Sequence, residues 1–350
     1  MSAEVATSLG VTEKFGTLWH KYKGENHETA LLLLILALLG VIAIVEPSAL
    51  NMTFVGDIIR SGIVTLAMAL GLLLVIISGG MDVSFPAIAI FSGYATITLM
   101  NSRGIDGAIW PFLVAAFIGL LLGSLNALFV ARYRMETLIA SLGTQVIIRG
   151  VLLAFIGSVY ISTLPSQLDA IGGTSIMRLG NSPVNVLVVP VIVLAFLLSW
   201  MLKHTMFGRS IYAVGGDRES ARRVGIRVPS VQVRIYLLAG LLAGFAGMVH
   251  VVLSRHASPF ELVGTELNVI AAVVIGGALD SGGRGSVKGT IYGVVLISLV
   301  QNSLVRLGIS SYWHILVVGL VVLVGVAIQA QAASREAKAT RILESTEVAS

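Results

Sequence analysis

The chain contains no cysteine among its 350 residues. That excludes disulfides, thiolate nucleophiles and cysteine-based zinc or iron–sulfur sites. Charge is scarce as well: Asp, Glu, Lys and Arg make up 12% of the chain, about half the roughly 25% of an ordinary soluble domain. His204, His250, His256 and His314 are scattered without i, i+4 pairing, so spacing supports no metal site. No GxxxxGK[ST] phosphate loop occurs, and no nucleophile stands with a base in a pattern that signals catalysis. GGRGSVKG (282–289) has glycines and Lys288 in the wrong order and spacing for a phosphate loop, and apolar runs flank it where a strand would be needed. It is better explained as a glycine-rich turn between helices.

Apolar residues fill the space that charge leaves. They make up 56% of the chain, and the mean hydropathy is +0.94. Runs such as Ala30 to Val45 and Val184 to Leu202 approach the ~20 residues that cross the ~30 Å of bilayer hydrocarbon. In lipid every backbone polar group must pair within its own segment or in a closed barrel, so such runs imply helices. Glycine, at 38 residues, suits helices that touch through small side chains. Spans are predicted at 29–46, 58–78, 83–100, 111–131, 136–157, 184–202, 231–253, 267–280, 287–306 and 312–330. The fold class expected is therefore an all-α polytopic membrane protein with about ten transmembrane helices.

The net charge of +5 follows topology. Lys and Arg concentrate in the N-terminal tail, the Arg132/Arg134 turn, the 203–230 loop, the Arg284/Lys288 loop and the C-terminal tail. The alternate loops hold only scattered arginines, so the positive-inside rule places both termini in the cytoplasm. No nucleic-acid partner is implied. The polar stretch before the first span and the absence of a small-x-small cleavage pattern argue against a cleaved signal peptide. The organisation expected is a cytoplasmic tail 1–28, a membrane domain 29–330 and a second cytoplasmic tail 331–350. SGGMD (78–82) and IGGALD (275–280) form a weak internal echo, each closing an apolar run.

The 203–230 loop is the most informative stretch. Asp217 to Val224 has the pattern of a short helix, with Asp217 at its N-cap, Arg222 and Arg223 at the dipole's negative end, and Gly225 as C-cap. Gly215 and Gly216 before it are expected to bend the chain. A basic loop facing anionic lipid is the competing reading.

FGRSIYAVGGDRESARRVGI (207–226) closely resembles the cytoplasmic coupling loop of the ribose/galactose/xylose-type permeases of bacterial ATP-binding-cassette importers. LLLVIISGGMDVS (72–84), ETLIASLGTQVIIRG (136–150), and VIGGALDSGGRGSVKGTIYGVVLI (274–297) with SSYW (310–313) are similar to the same family. The resemblance runs from about 30 to 330. It implies a bacterial cytoplasmic-membrane permease that hydrolyses no ATP and needs no cofactor, a separate ATPase that binds the nucleotide, an external sugar-binding protein, and a second permease copy as homodimer or heterodimer. It places ATPase coupling on Gly208, Arg209, Tyr212, Gly215, Gly216, Asp217, Ala221, Arg222 and Gly225. Phe85 and Pro86 stand where many relatives have small residues.

Within the spans neutral polar side chains outnumber ionisable ones. A polyhydroxylated, uncharged solute needs donors and acceptors without a counter-ion, so Asn126, Gln145, Asn268 and Asn302 are jointly the expected pathway residues; interhelical hydrogen bonding is the alternative for each. Asp82 either caps the helix that follows it, the ordinary reading, or lies on the pathway. An ion-coupled secondary transporter is the rival function, and the scarcity of intramembrane Asp, Glu and His weighs against it.

Overall fold

The computed structural model describes residues 27–47 and 50–306, with isolated helical positions at 313, 316, 319, 320 and 323. The N-terminal tail up to residue 26, nearly all of the 312–330 span and the C-terminal tail lie outside the described residues.

Helix α1 covers His27–Val45. Helix α2, Met52–Ile77, starts at an Asn51 cap whose Oδ1 accepts the Phe54 amide at 3.0 Å. Its 26 residues span about 39 Å at ~1.5 Å per residue. Helix α3 covers Phe85–Arg103. Pro86 falls in its first turn, where a missing amide hydrogen costs nothing. Helix α4, Trp110–Ala127, runs on through a π-helical turn, Leu128–Arg132. Helix α5, Thr137–Val151, does the same through Leu152–Ile156.

Between the expected spans 136–157 and 184–202 the chain holds a short helix α6 (Ser166–Gly173) and a hairpin of β1 (Ser175–Leu179) and β2 (Ser182–Asn185), whose second strand takes the first two residues of the latter span. The strands pair antiparallel around Gly180, whose φ of 60° fits a two-residue Gly-Asn turn. All-α thus holds for the membrane portion, and this hairpin is the exception. After it come α7 (Val188–His204), α8 (Met206–Gly216) and α9 (Arg218–Arg223). Helices α10 (Val228–Ser254), α11 (Glu266–Ile275) and α12 (Val287–Arg306) follow.

Among the described residues, five helices are long and apolar enough to cross a membrane, and six if α7 and α8, bent by 74°, count as one span. The expected total of about ten includes segments such as 267–280, of which only the ten-residue α11 is helical.

Helix α10 is the hub, packed against α2, α3 and α4. A Cβ added at Gly119 of α4 would stand 2.2 Å from the Gly240 carbonyl oxygen of α10, and one at Gly240 would stand 2.3 Å from the Gly119 oxygen. Gly123 and Gly244 repeat the contact one turn along, and Gly247 would meet Ala89 of α3 at 1.8 Å. Backbone lies on backbone here. Small residues four apart allow it, and in lipid such packing replaces the hydrophobic drive that water supplies elsewhere.

The sequence echo is a shared geometry. After α2, Gly79 and Gly80 donate to Ile76 O at 2.9 Å and Val75 O at 3.1 Å; after α11, Gly277 and Ala278 donate to Val274 O at 2.9 Å and Val273 O at 3.2 Å. Gly79 and Gly277 have φ of 74° and 91°. Both ends are Schellman caps.

Replacing Gly240 with Leu should therefore destabilise the folded bundle by 1–3 kcal/mol or more, a range of about the cost of overpacking. Gly40→Leu should be nearly silent, since nothing lies within 4 Å of that position. Thermal unfolding in detergent compares the two, and equal behaviour would contradict the packing argument.

Candidate functional site

Two features stand at opposite ends of α2, α10, α11 and α12: a contact among glycine-rich turns and an open polar cavity.

The glycine contact starts at Thr205. Its Oγ1 accepts the Gly208 amide at 3.0 Å and caps α8. Gly208 makes the elbow possible, because a Cβ there would lie 2.4 Å from the Leu202 oxygen. Ile211 and Val214 are buried on one face of α8, and Tyr212 Oη donates to the Gly285 carbonyl at 2.9 Å. Gly283 N donates to Ile77 O at 2.8 Å, and Gly215 sits directly on that bond. A Cβ at Gly215 would be 1.8 Å from the Ile77 oxygen and 2.5 Å from the Gly283 nitrogen. The end of α2, the turn between α11 and α12, and α8 are thus locked at one point.

Gly215 and Gly216 lie directly ahead of the non-helical Asp217 that separates α8 from α9, where the sequence places a bend. They are the last residues of α8, and the 74° bend precedes it, between α7 and α8. Gly216 has open space around it. The helix after Asp217 forms as expected: Asp217 accepts from Glu219 N at 3.0 Å and Ser220 N at 3.2 Å. Its carboxyl is held below the usual range, chiefly by the Ser220 hydroxyl. Ala221 is buried, and Gly225, with φ of 86°, ends α9. Arg209, Arg222 and Arg223 are exposed. The pairs of Arg222 and Arg223 with Glu219, at 3.7 and 3.9 Å, are solvent-exposed contacts of little weight.

The cavity, about 580 Å³, lies within the volume range of small-molecule sites. Asp57, Arg60, Ser61 and Thr65 of α2 line it, with His250 and Ser254 of α10, Thr265 and Asn268 at the start of α11, and Gln301 and Asn302 of α12. Asn302 Nδ2 donates to Ser61 Oγ at 3.0 Å, and Arg306 pairs with Asp57 at 2.8 Å. The segment between α10 and α11 closes one side. His250 and His256 each hydrogen-bond a different oxygen of Glu261, and Arg255 pairs with Asp169 of α6 at 2.6 Å. The His250 hydrogen bond, foremost, holds the Glu261 carboxyl below its usual range. Among the described residues no group of His, Asp and Glu could hold a metal ion.

Of the four residues expected on the pathway, Asn268 and Asn302 line this cavity. Gln145 lies elsewhere, donating at 2.9 Å to Glu266 Oε1, which also takes Arg149 at 3.2 Å, so α5 is tied to the start of α11. Asn126 is buried. Its Nδ2 donates to Ser84 Oγ at 2.7 Å and Asp82 Oδ2 at 3.4 Å, and its Oδ1 accepts from Thr144 Oγ1. That network satisfies buried polar groups and fastens the α2–α3 connection to α4 and α5. Asp82 acts as a cap there, accepting the Ser84 amide at 2.7 Å. Arg60, Ser61, Thr265 and Gln301 were not among the four expected pathway residues, although Asp57, Ser61 and Thr65 at four-residue spacing mark one polar face on an apolar helix.

Residues 54–326 match the family described as branched-chain amino acid transport system / permease component. The chain belongs to this permease family. It is 32% identical to the ribose import permease protein of Escherichia coli (strain K12) over 84% of this chain and 91% of the relative. It is 34% identical to that of Bacillus subtilis (strain 168), over 82% and 87%. The autoinducer 2 import system permease protein of Yersinia pseudotuberculosis serotype O:3 (strain YPIII) is 30% identical, over 87% and 84%. No solved structure matches the chain. The family resemblance read from the coupling loop therefore holds, and the chain is a permease subunit of an ATP-binding-cassette importer in the bacterial cytoplasmic membrane. Amino acids, ribose and autoinducer 2 all occur in these descriptions, so membership leaves the solute open.

Gly215→Ala should break the three-way contact, whereas Gly216→Ala should not. With a cognate ATPase, we expect Gly215→Ala to cut solute-stimulated ATP hydrolysis at least tenfold at normal membrane levels, and Gly216→Ala to change it less than twofold. Equal effects would contradict the contact's role.

Proposed function

We propose that this chain carries a small sugar or polyol across the membrane, received from a periplasmic or extracellular sugar-binding protein at the cavity end and driven by an ATPase at the α8–α9 end. The observation that carries the reading is the placement of both features on the same helices: amides and hydroxyls gather at one end of α2, α11 and α12, and α8 is locked to their other end. Amides and hydroxyls pair with sugar hydroxyls as both donors and acceptors. The exposed arginines of α8 and α9 suit an acidic partner surface. ATP binds on that partner, and this chain needs no cofactor of its own.

In this reading about ten spans place both termini inside, lipid surrounds the apolar outer faces, and two permease copies, identical or similar, form the unit so that two ATPases can close together. A particle mass showing a single permease copy would rule out the pair. Against an ion-coupled carrier stand the scarcity of ionisable groups within the spans and the fact that Asp57 and Glu266 are paired with arginines and Asp82 is taken up by Ser84 and Asn126.

Orientation is checked by single cysteines in this cysteine-free chain. Ser166→Cys should react with an impermeant reagent from outside and Ser220→Cys only from inside; same-side labelling overturns the topology. Coupling is checked by Arg222→Glu with Arg223→Glu. The double variant should bind the ATPase about five- to tenfold more weakly, and the difference should shrink with added salt because exposed charges are screened. Unchanged ATPase binding and uptake would reduce the loop to a lipid-facing connector.

A further inference from the structure

Among the charged side chains lining the cavity, Asp57 is held by Arg306, and both imidazoles are held by Glu261. Arg60 differs. It lines the same space and a small cleft beside it against the end of α6 and β2, is exposed, and makes no hydrogen bond or ion pair with any described residue. It sits more than two turns into α2, and the cavity reaches past it to Met68.

From this unpartnered guanidinium we infer that the solute of the cavity is a polyhydroxylated monoanion, a sugar acid rather than a neutral sugar, with its carboxylate on Arg60. The inference rests on the importer reading above and narrows its solute. A guanidinium has five N–H donors and accepts nothing, so the group facing it must be an acceptor. A carboxylate fits it with two parallel hydrogen bonds. The nearby carboxylate that could have served, Asp57, is already used by Arg306. Around Arg60 the remaining groups are neutral: Ser61, Thr65, Asn268, Gln301 and Asn302. They offer donors and acceptors for hydroxyls and no second charge.

The test uses Ser254→Cys, a near-isosteric change at the cavity wall, in the full chain reconstituted into phosphatidylcholine vesicles, which carry no net lipid charge. The cysteine is modified with anionic sulfonatoethyl or cationic trimethylammonioethyl methanethiosulfonate. We expect the anionic reagent to react about tenfold faster, in line with the lower end of electrostatic focusing in clefts. Arg60→Gln should erase the preference and Arg60→Lys should keep it. D-gluconate should slow the reaction at concentrations where D-glucose does not, and Arg60→Gln should abolish that protection. An unchanged reagent ratio in Arg60→Gln overturns the inference. Equal protection by glucose and gluconate also overturns it, yet leaves a neutral-sugar importer standing. If neither sugar protects, the cavity is not the binding place, while the ATPase-binding test of the importer reading is unaffected.

Discussion

Backbone touching backbone is the constraint on which the rest of this structure depends. In lipid, apolar side chains gain nothing by leaving one apolar surface for another, so helices associate through close fit and through the polar contacts that close fit allows. Gly119, Gly123, Gly240 and Gly244 supply that fit between α4 and α10, and Gly247 extends it to α3. Gly276, Gly289 and Gly293 do the same between α11 and α12. Any side chain at these positions forces the helices apart, and the cavity between α2, α10, α11 and α12 loses its walls.

The same device at Gly215 serves a different end. There the close approach joins a surface helix to the terminus of a spanning helix and to the turn between two others, through a hydrogen bond from Gly283 to Ile77 and one from Tyr212 to Gly285. Helix α8 is amphipathic, with Ile211 and Val214 inward and Arg209 outward. A push on its outer face has no soft layer to dissipate in. It bears on the ends of α2 and of the α11–α12 pair, whose other ends carry Arg60, Asn268 and Asn302. In the proposed cycle this is how ATP-driven motion reaches a solute that the ATPase never touches.

Much of this was legible in the sequence because lipid makes composition informative. Long apolar runs located most of the described long helices to within a few residues, as for 287–306, and Asp217 with Gly225 delimited α9 because capping is local chemistry. The helical nature of 206–216 was not legible, since two glycines and a neighbouring Asp look like a turn until Ile77 and Gly283 are brought against them. The hairpin in 175–185 escaped for a similar reason: its strands are short, and Gly172, Gly173, Gly180 and Pro183 around and within them look like a loop. Among the polar residues, Asn126, Gln145, Asn268 and Asn302 were indistinguishable by type. Only three-dimensional placement separates the two that face the cavity from the two that satisfy Asp82, Thr144 and Glu266. Arg60 was passed over because a lone arginine near a span end serves topology equally well.

The central claim is that α8–α9 and the turn between α11 and α12 move as one body. Spin labels at Ser220→Cys and Ser281→Cys report distances within that body, and labels at Ser254→Cys and Gln301→Cys report the width of the cavity. With the cognate ATPase bound, the account predicts that adding nucleotide leaves the first distance unchanged and shifts the second by several ångströms. A first distance that changes while the cavity width stays constant would contradict it.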